Sequence, residues 1–386
     1  MFDCVIIHYN EIAIKGNNRI LFERKLVDNI KLSLKGIGLA PIRKYGYIII
    51  DLKGKDYQPV KEILQRIPGI AFFFLGKVAK LEIEDIKEKA LALANDSFFS
   101  TFKINAKRSN KKFSFKSNEI NATVGEYILE TLNKKVDVHK PDLTIFIEVT
   151  DDKTYVHSEK ILGIGGLPVN ERNIVISSLS GGFDSPVASY LMMKRGCSVI
   201  FVHIYNNSLV KKAVLEKIQL LVNELTKFQL TSKLYVVPFA EVQKEIIANV
   251  PSTHRMIIYR RYMFKIINEI ALREYAKAVI TGDSVGQVAS QTLENIQCIY
   301  QASNIPILTP LIGLNKDEII DIAKKINTFE FSKIPYPDCC SFMNSDHPIT
   351  KGIIEKIDVM EKEIKDKEEK LINDAINKAD IFEYTF

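Results

Sequence analysis

The sequence predicts a multi-domain α/β protein, and three observations carry that expectation. Its 386 residues exceed one ordinary domain and allow two or three packed units. Up to about residue 165, apolar strands and helices alternate in short runs that restart once. Beyond residue 170 they settle into repeated strand–helix units whose strands are apolar along their length, the pattern of a parallel sheet covered on both faces. The glycine-rich run ILGIGGLPVNERN, residues 161–173, stands between the two halves and reads as a linker.

Residues 1–75 read as strand CVIIHY, helix 18–35 with Phe22, Leu26 and Ile30 at helical spacing, strand YGYIIIDL, helix 59–67 and strand AFFFLG. Gly36 and Gly69 stand where helix C-terminal caps are expected. This β-α-β-α-β order suits a small ferredoxin-like domain. Residues 76–165 restart with helix 84–95 and pass through a basic run to helix 118–134, striped by Ile120, Val124, Ile128 and Leu132. They end in DLTIFIEV and TYVHSEKI, joined by the turn residues DDK. Residues 166–386 read as NIVISSLS, helix 184–195, SVIFVHIY, helix 208–228, KLYVVPF, helices across 241–275, AKAVITGD and helix 316–327. A doubly wound parallel sheet follows, with ligands expected beyond the carboxyl ends of its strands. The tail, 351–386, reads as mixed-charge amphipathic helix packing on the last domain or on a second subunit, which leaves a homodimer open.

Composition excludes several classes. With 46% hydrophobic and 26% charged residues the chain is not disordered, and no apolar run is long enough to span a bilayer. The N-terminus lacks the basic start of a signal peptide, so a cytosolic protein without membrane partners is expected. The five cysteines, Cys4, Cys197, Cys298, Cys339 and Cys340, are an odd set that does not suggest a disulfide framework. Net charge is +6, too small to name a partner. Its distribution says more. TFKINAKRSNKKFSFK, residues 101–116, holds Lys103, Lys107, Arg108, Lys111, Lys112 and Lys116 with no acid, and Phe102, Phe113 and Phe115 lie among them. Such a run suits a polyanion-binding face. It equally suits a solvated strand edge whose lysines discourage aggregation.

The chemistry-bearing stretch is SLSGGFDSPVAS, 178–189. Gly181 and Gly182 let the backbone turn tightly after a strand, a helix starts near Asp184 or Ser185, and Pro186 fits its first turn. A helix N-terminus offers unpaired N–H groups and partial positive charge to phosphate oxygens, and Ser180 and Ser185 add hydroxyls. No GxxxxGK[ST] run occurs, so the lysine grip of kinase-type phosphate loops is absent.

SGGxDS is the loop of the PP-loop ATP pyrophosphatases (adenine nucleotide alpha hydrolase-like), and SGGFDSPVASYLMMKRG closely resembles one branch of them, the tRNA 4-thiouridine synthetases or tRNA sulfurtransferases. TGDSVGQVASQTLENI at 281–296 resembles that family's TGES-type segment. NEIAIKGNNR at 10–19, KRSNKKFSFKSNEIN at 107–121 and EKILGIGGLPV at 159–169 are similar as well, so the resemblance covers residues 5 to 345. It implies a ferredoxin-like domain over 1–75, a tRNA-binding THUMP domain over 76–165 and a PP-loop domain with a helical tail over 166–386. The basic run falls in the THUMP portion, which turns Lys107, Arg108, Lys111, Lys112 and Lys116 into candidate RNA contacts, with the arginine or the aromatics available to unpaired bases.

The implied reaction adenylates O4 of the uridine at position 8 of tRNA, releases pyrophosphate, and lets sulfur displace AMP. ATP and Mg²⁺ are the implied cofactors, and the loop would hold the departing pyrophosphate. Asp184 is the candidate that organises that end of the site. An N-cap is its plain structural alternative. The resemblance also places Ser178, Leu179, Ser180, Gly181, Gly182, Ser185, His203, Ile204, Arg260, Gly282, Gln291 and Lys316 at the nucleotide; His203 suits a packed strand-end histidine, and Arg260 and Lys316 suit surface charges. PYPDCCSF sets Cys339 and Cys340 after the last strand–helix unit, where a family cysteine matches Cys339. A persulfide on either thiol could attack the activated carbon and its neighbour could release the product as a strained, labile disulfide. Two buried thiols or a metal pair are the alternatives.

The chain reads as the form without a rhodanese-like domain, so a persulfide-donating desulfurase or another sulfur source is the expected partner beside tRNA. HRMIIYRR lacks the CxxC that some members use for an iron–sulfur cluster, so none is expected. Another PP-loop ligase acting on a small molecule would leave the RNA-binding half unexplained. A non-catalytic tRNA-binding protein would leave the loop, the second block and the cysteine pair unexplained.

Overall fold

The computed structural model describes residues 2–206, 211–335 and 348–386. They form two compact units, 1–168 and 169–386.

The first unit contains β1 (Cys4–His8), α1 (Arg19–Ser33), β2 (Pro41–Lys44), β3 (Tyr47–Asp51), α2 (Gln58–Leu64), β4 (Phe72–Ala79), α3 (Ile83–Asn95), β5 (Thr101–Arg108), α4 (Ser117–Leu132), β6 (Lys135–Val136), β7 (Leu143–Val149) and β8 (Thr154–Leu162). They build one eight-stranded sheet in the order β2-β3-β1-β4-β8-β7-β5-β6. β4 is antiparallel to both β1 and β8. The two N-terminal segments therefore share a sheet, and residue 75 lies within its joining strand. Phe73, Leu75 and Ala79 alternate onto one face of β4; the first two pack with Leu26, Ile30, Val60 and Leu64 of α1 and α2, the last with residues of α3 and α4.

Two local expectations are corrected. The left-handed cap after α1 is Gly38, whose N–H donates to the Leu34 carbonyl, while the expected Gly36 lies within an intervening 3₁₀ turn. The segment read as a linker is mostly strand: β8 runs to Leu162 and β9 (Leu167–Ser178) begins after four residues. Gly163 serves close packing, because a Cβ there would lie 2.3 Å from the Ile70 carbonyl oxygen, while Gly165 and Gly166 turn the chain at positive φ.

β9 leads into the second unit, which continues with α5 (Asp184–Lys194), β10 (Arg195–Tyr205), α6 (Lys211–Gln229), β11 (Thr231–Pro238), α7 (Ala240–Asn249), α8 (Arg255–Arg273), β12 (Val279–Ile280), α9 (Leu293–Tyr300), β13 (Ile307–Leu308), α10 (Lys316–Lys325), α11 (Phe329–Lys333), α12 (Ile354–Asn377) and β14 (Asp380–Thr385). The strand order is β13-β12-β9-β10-β11-β14. β12 pairs parallel with β13 and β9, β10 parallel with β11, and β14 antiparallel with β11. From β9 the chain builds outward through β10 and β11, then crosses to β12 on the other side. The order reverses between β9 and β12, which opens a crevice beyond their carboxyl ends. The tail departs from the all-helical expectation, since DIFEYT alternates partly buried and exposed residues and adds an edge strand after α12.

Candidate active site

The Gly-Gly turn leaves β9 at that crevice and α5 starts directly behind it. Ser185 Oγ accepts from the Ser180 N–H at 2.8 Å, and Ser180 Oγ accepts from the Gly182 N–H at 3.3 Å. The serine hydroxyls thus fix the loop's own shape. Below them Ser189 Oγ donates to the Ser185 carbonyl at 2.8 Å within α5 and pairs with Ser177 Oγ of β9 at 2.7 Å, tying the first turns of α5 to the sheet. On the far side Ser332 Oγ of α11 donates to the Gly182 carbonyl at 3.2 Å, and the Phe183 and Phe329 rings pack with centroids 5.4 Å apart.

β12 brings the second sequence block to the same place. A Cβ on Gly282 would lie 2.8 Å from both the Asp184 carbonyl carbon and the Ser185 nitrogen. Only glycine admits this approach, so the two blocks meet backbone to backbone at the start of α5.

Asp184 does not cap α5: the N-cap position is Phe183, and no side chain there bonds a helix N–H. Instead its carboxylate accepts from Lys316 Nζ at 2.6 Å and from Gln287 Nε2 at 3.0 Å. Lys316 is placed by the start of α10, where Asn315 Oδ1 accepts from the Glu318 N–H at 3.0 Å and the Glu318 carboxylate returns a bond to the Asn315 N–H. Lys316, a candidate at the nucleotide that also suited a surface charge, thus contacts the aspartate of the loop.

A cleft of about 380 Å³ opens beside the loop. Ser178, Ser180, Asp184, Ser185, Arg260, Gly282 and Gln291 line it among the sequence candidates. Leu179, His203 and Ile204 are buried behind it; the His203 Nδ1–H donates to the Leu179 carbonyl at 2.9 Å, and the Leu179 N–H donates to the Val202 carbonyl. The His203 side chain is thus packed near the end of its strand.

Asp283 was not singled out by sequence, yet it organises the cleft wall. Only 4% exposed, it accepts from Arg260 Nη2 at 2.9 and 2.7 Å, from Gln291 Nε2 at 2.9 Å and from Tyr300 Oη at 2.7 Å. Burial pushes its carboxyl up. The Arg260 charge and these donors more than offset that, holding it below the ordinary carboxylate value. Its signal was readable, a carboxylate beside a close-packing glycine at a strand end. Tyr300 and Asn295 gave none. Asn295, fully buried, donates to the Ala289 and Ile349 carbonyls and accepts from the Gly352 N–H, pinning residues 349–352 to the cleft wall. Cys339 and Cys340 lie outside the described residues.

In the first unit, Lys107 is exposed near the end of β5, and Lys111, Lys112 and Lys116 are exposed on the loop and helix start beyond it. Arg108 donates to the Phe113 and Phe115 carbonyls at 2.8 and 3.0 Å, so it shapes this loop. The aromatics differ from expectation. Phe102 is fully buried, and Phe113 and Phe115 pack against the α3–α4 core. Their apolar rings were drawn inward by that core, which leaves the lysines as the exposed feature.

A phosphate-directed helix start at the switch point of a doubly wound sheet defines a nucleotide-binding α/β protein of the PP-loop class. Family models agree along the chain: a ThiI ferredoxin-like domain over 4–73, a THUMP domain over 80–159 and "Thiamine biosynthesis protein (ThiI)" over 171–365. A probable tRNA sulfurtransferase of Moorella thermoacetica is 39% identical over 94% of both chains, and one of Brevibacillus brevis 38% identical over 100% of this chain and 97% of its own. The crystal structure of a 4-thiouridine synthetase–RNA complex with bound ATP matches 99% of this chain and 100% of its own, with TM-score 0.93 and 31% identity. PH1313 from Pyrococcus horikoshii matches 84% of this chain and 99% of its own, with TM-score 0.65 and 25% identity. The chain belongs to the tRNA sulfurtransferase family.

Proposed function

We propose that the protein is an ATP-dependent tRNA sulfurtransferase that adenylates O4 of uridine 8 in tRNA, with release of pyrophosphate, and replaces that oxygen by sulfur to give 4-thiouridine. The observation that carries this reading is the loop 180–185, held open to an anion at the N-terminus of α5 and locked there by Gly282. When O4 attacks the α-phosphorus, negative charge grows on the leaving pyrophosphate. The α5 N–H groups and Lys316 stabilise that charge.

Asp184, whose carboxylate stands at the start of α5 with Lys316 Nζ at 2.6 Å, would hold Mg²⁺ carried by the phosphates. Mg²⁺ bound there would neutralise phosphate charge.

Cys339 and Cys340 handle sulfur in this reading. A persulfide on one attacks C4 and AMP leaves; the thiolate of the other then attacks its partner's sulfur, freeing thiouridine and leaving a disulfide that a dithiol reductant reopens. Ser332 Oγ donates to the Gly182 carbonyl at 3.2 Å, so the chain that precedes the pair touches the phosphate loop at residue 332. Lys107, Lys111, Lys112 and Lys116 neutralise tRNA phosphates, residues 1–75, 76–165 and 166–386 act as the ferredoxin-like, THUMP and catalytic parts, and the cytosol is the site of action. No helix among the described residues is long and apolar enough to cross a membrane.

The test supplies unmodified tRNA, ATP, Mg²⁺, a dithiol and a persulfide-loaded desulfurase, and measures 4-thiouridine by mass spectrometry of digested nucleosides. Thiouridine, AMP and pyrophosphate should form in equal amounts. ATP turnover without RNA would point to a small-molecule ligase, and RNA binding without ATP turnover to a non-catalytic protein.

A further inference from the structure

Pro186 leaves the phosphate loop with a gap that its own helix cannot fill. Phe183 has helical dihedrals, φ −76° and ψ −32°, and Asp184 and Ser185 open α5. In a continuing helix the Gly182 carbonyl would accept from the N–H four residues on, but residue 186 is proline and has none. Ser332 supplies the missing donor: its Oγ, on a residue 7% exposed, donates to the Gly182 carbonyl at 3.2 Å. Ser332 is in turn fixed from behind. Its own carbonyl and that of Ile334 accept from Lys217 Nζ at 2.9 and 2.7 Å. Lys217 is 3% exposed and stands at helical spacing among Val214, Ile218 and Leu221 on the buried face of α6, where an aliphatic side chain would avoid the cost of burying an ammonium. Its place there is explained by the end of α11 that it holds.

The Gly182 carbonyl matters through the other end of its peptide. A trans peptide sets C=O and N–H on opposite sides, so a carbonyl held along α5 turns the Phe183 N–H the other way, out of the helix N-terminus toward a bound anion. Glycine restrains ψ little, so without Ser332 this peptide can tilt, and a donor that tilts away from its acceptor loses strength steeply. We propose that Ser332 is a positioning residue for pyrophosphate departure, standing in for the donor that Pro186 lacks and aiming the Phe183 N–H at the leaving group, with Lys217 holding Ser332 in place. This deepens the ATP-activation reading and rests on it.

The experiment measures tRNA-dependent pyrophosphate release by the full chain across a range of ATP concentrations, with Tm to show folding. Ser332→Ala should lower kcat about tenfold or more and change the KM for ATP by less than about threefold, because the donor acts on charge that grows in the transition state. Lys217→Met should lower kcat in the same sense, and it carries the test if Ser332→Ala does not fold. Pro186→Ala supplies the N–H that the helix lacks, so adding it to either variant should restore kcat to within about threefold of Pro186→Ala alone, one neutral hydrogen bond replacing another. A role in packing alone gives no such rescue. Wild-type kcat in folded Ser332→Ala overturns the inference, and so does a loss that Pro186→Ala relieves in neither variant. A wild type that releases no pyrophosphate with tRNA overturns the activation reading and this inference with it. The expected rescue in a protein that makes no 4-thiouridine overturns sulfur transfer alone.

Discussion

Gly282→Ala tests the meeting of the two sequence blocks most directly. The added Cβ would lie 2.8 Å from the Asp184 carbonyl carbon and the Ser185 nitrogen, and 2.9 Å from the Asp184 Cβ. Ordinary contact begins at 3.4 Å, so the start of α5 and β12 must separate by about 0.6 Å. Backbone atoms cannot rotate away as a flexible side chain would. Overpacking of this kind costs about 1–3 kcal/mol, which leaves the chain folded. The catalytic effect should be larger than the stability effect suggests, because a displacement approaching 1 Å can cost about 100-fold in a positioned reaction. tRNA-dependent pyrophosphate release should fall by about 10- to 100-fold, with a modest drop in Tm. Gly313→Ala is the control, since its Cβ would meet nothing within 4 Å. Wild-type turnover in the Gly282 variant would refute the close approach and the loop geometry built on it.

Charge reversal of Lys111 and Lys112 should weaken tRNA binding and flatten its salt dependence by about 0.7–0.9 in log–log slope for each phosphate no longer neutralised; unchanged affinity across a salt series removes the assignment. Cys339→Ser and Cys340→Ser should each abolish thiolation while preserving tRNA-dependent pyrophosphate release, and full thiolation in both variants refutes the cysteine mechanism. Asp184→Ala should abolish adenylation yet cost under about 1 kcal/mol in stability, because it removes a part-exposed ion pair and no helix cap; a stability loss matched by retained activity would reverse that assignment. Burial, supported by His157, Lys107 and Lys160 and opposed by Glu148, lowers the His8 pKa from 6.5. The unfolded chain then binds the proton more readily, so this contribution is complete above pH 6.5 and lost as pH falls below it. His8→Phe should reduce the decline of Tm in mild acid, and an unchanged Tm–pH profile would refute it.

Much of the site was legible because phosphate chemistry demands a local motif. Gly181, Gly182 and Asp184 stand together in sequence as they do on the loop, and the paired strand–helix pattern locates that loop at a strand's carboxyl end. The partners of the loop were not legible in the same way. Lys316 and Ser332 reach it across 132 and 150 residues, distances over which periodicity carries no information. Composition also misled where packing set the role. The glycines at 163–166 resemble a flexible linker, yet Gly163 is required by a close approach to Ile70. Phe113 and Phe115 resemble stacking residues, yet a neighbouring core claims them. Strand β14 follows a long amphipathic helix, so its six residues were absorbed into that stronger pattern.

The tail also explains how the site helix keeps its orientation. Arg260 and Arg261 are adjacent on α8, about 100° apart around the helix, so they serve different neighbours. Arg260 faces the cleft and bonds Asp283, while Arg261 bonds Glu361 of α12 through two nitrogens at 2.9 and 2.8 Å and donates to the Cys298 carbonyl. Lys265 extends the network to Glu361 and Glu368. A buried pair of this kind adds little net stability over apolar packing, but breaking it costs about 3–5 kcal/mol, because one charge is left without its partner. Rotation of α8 would break the Arg261 network and withdraw Arg260 from Asp283 together. α12 therefore fixes, through Arg261, the orientation in which α8 presents Arg260 to Asp283, although none of its own residues lines the cleft.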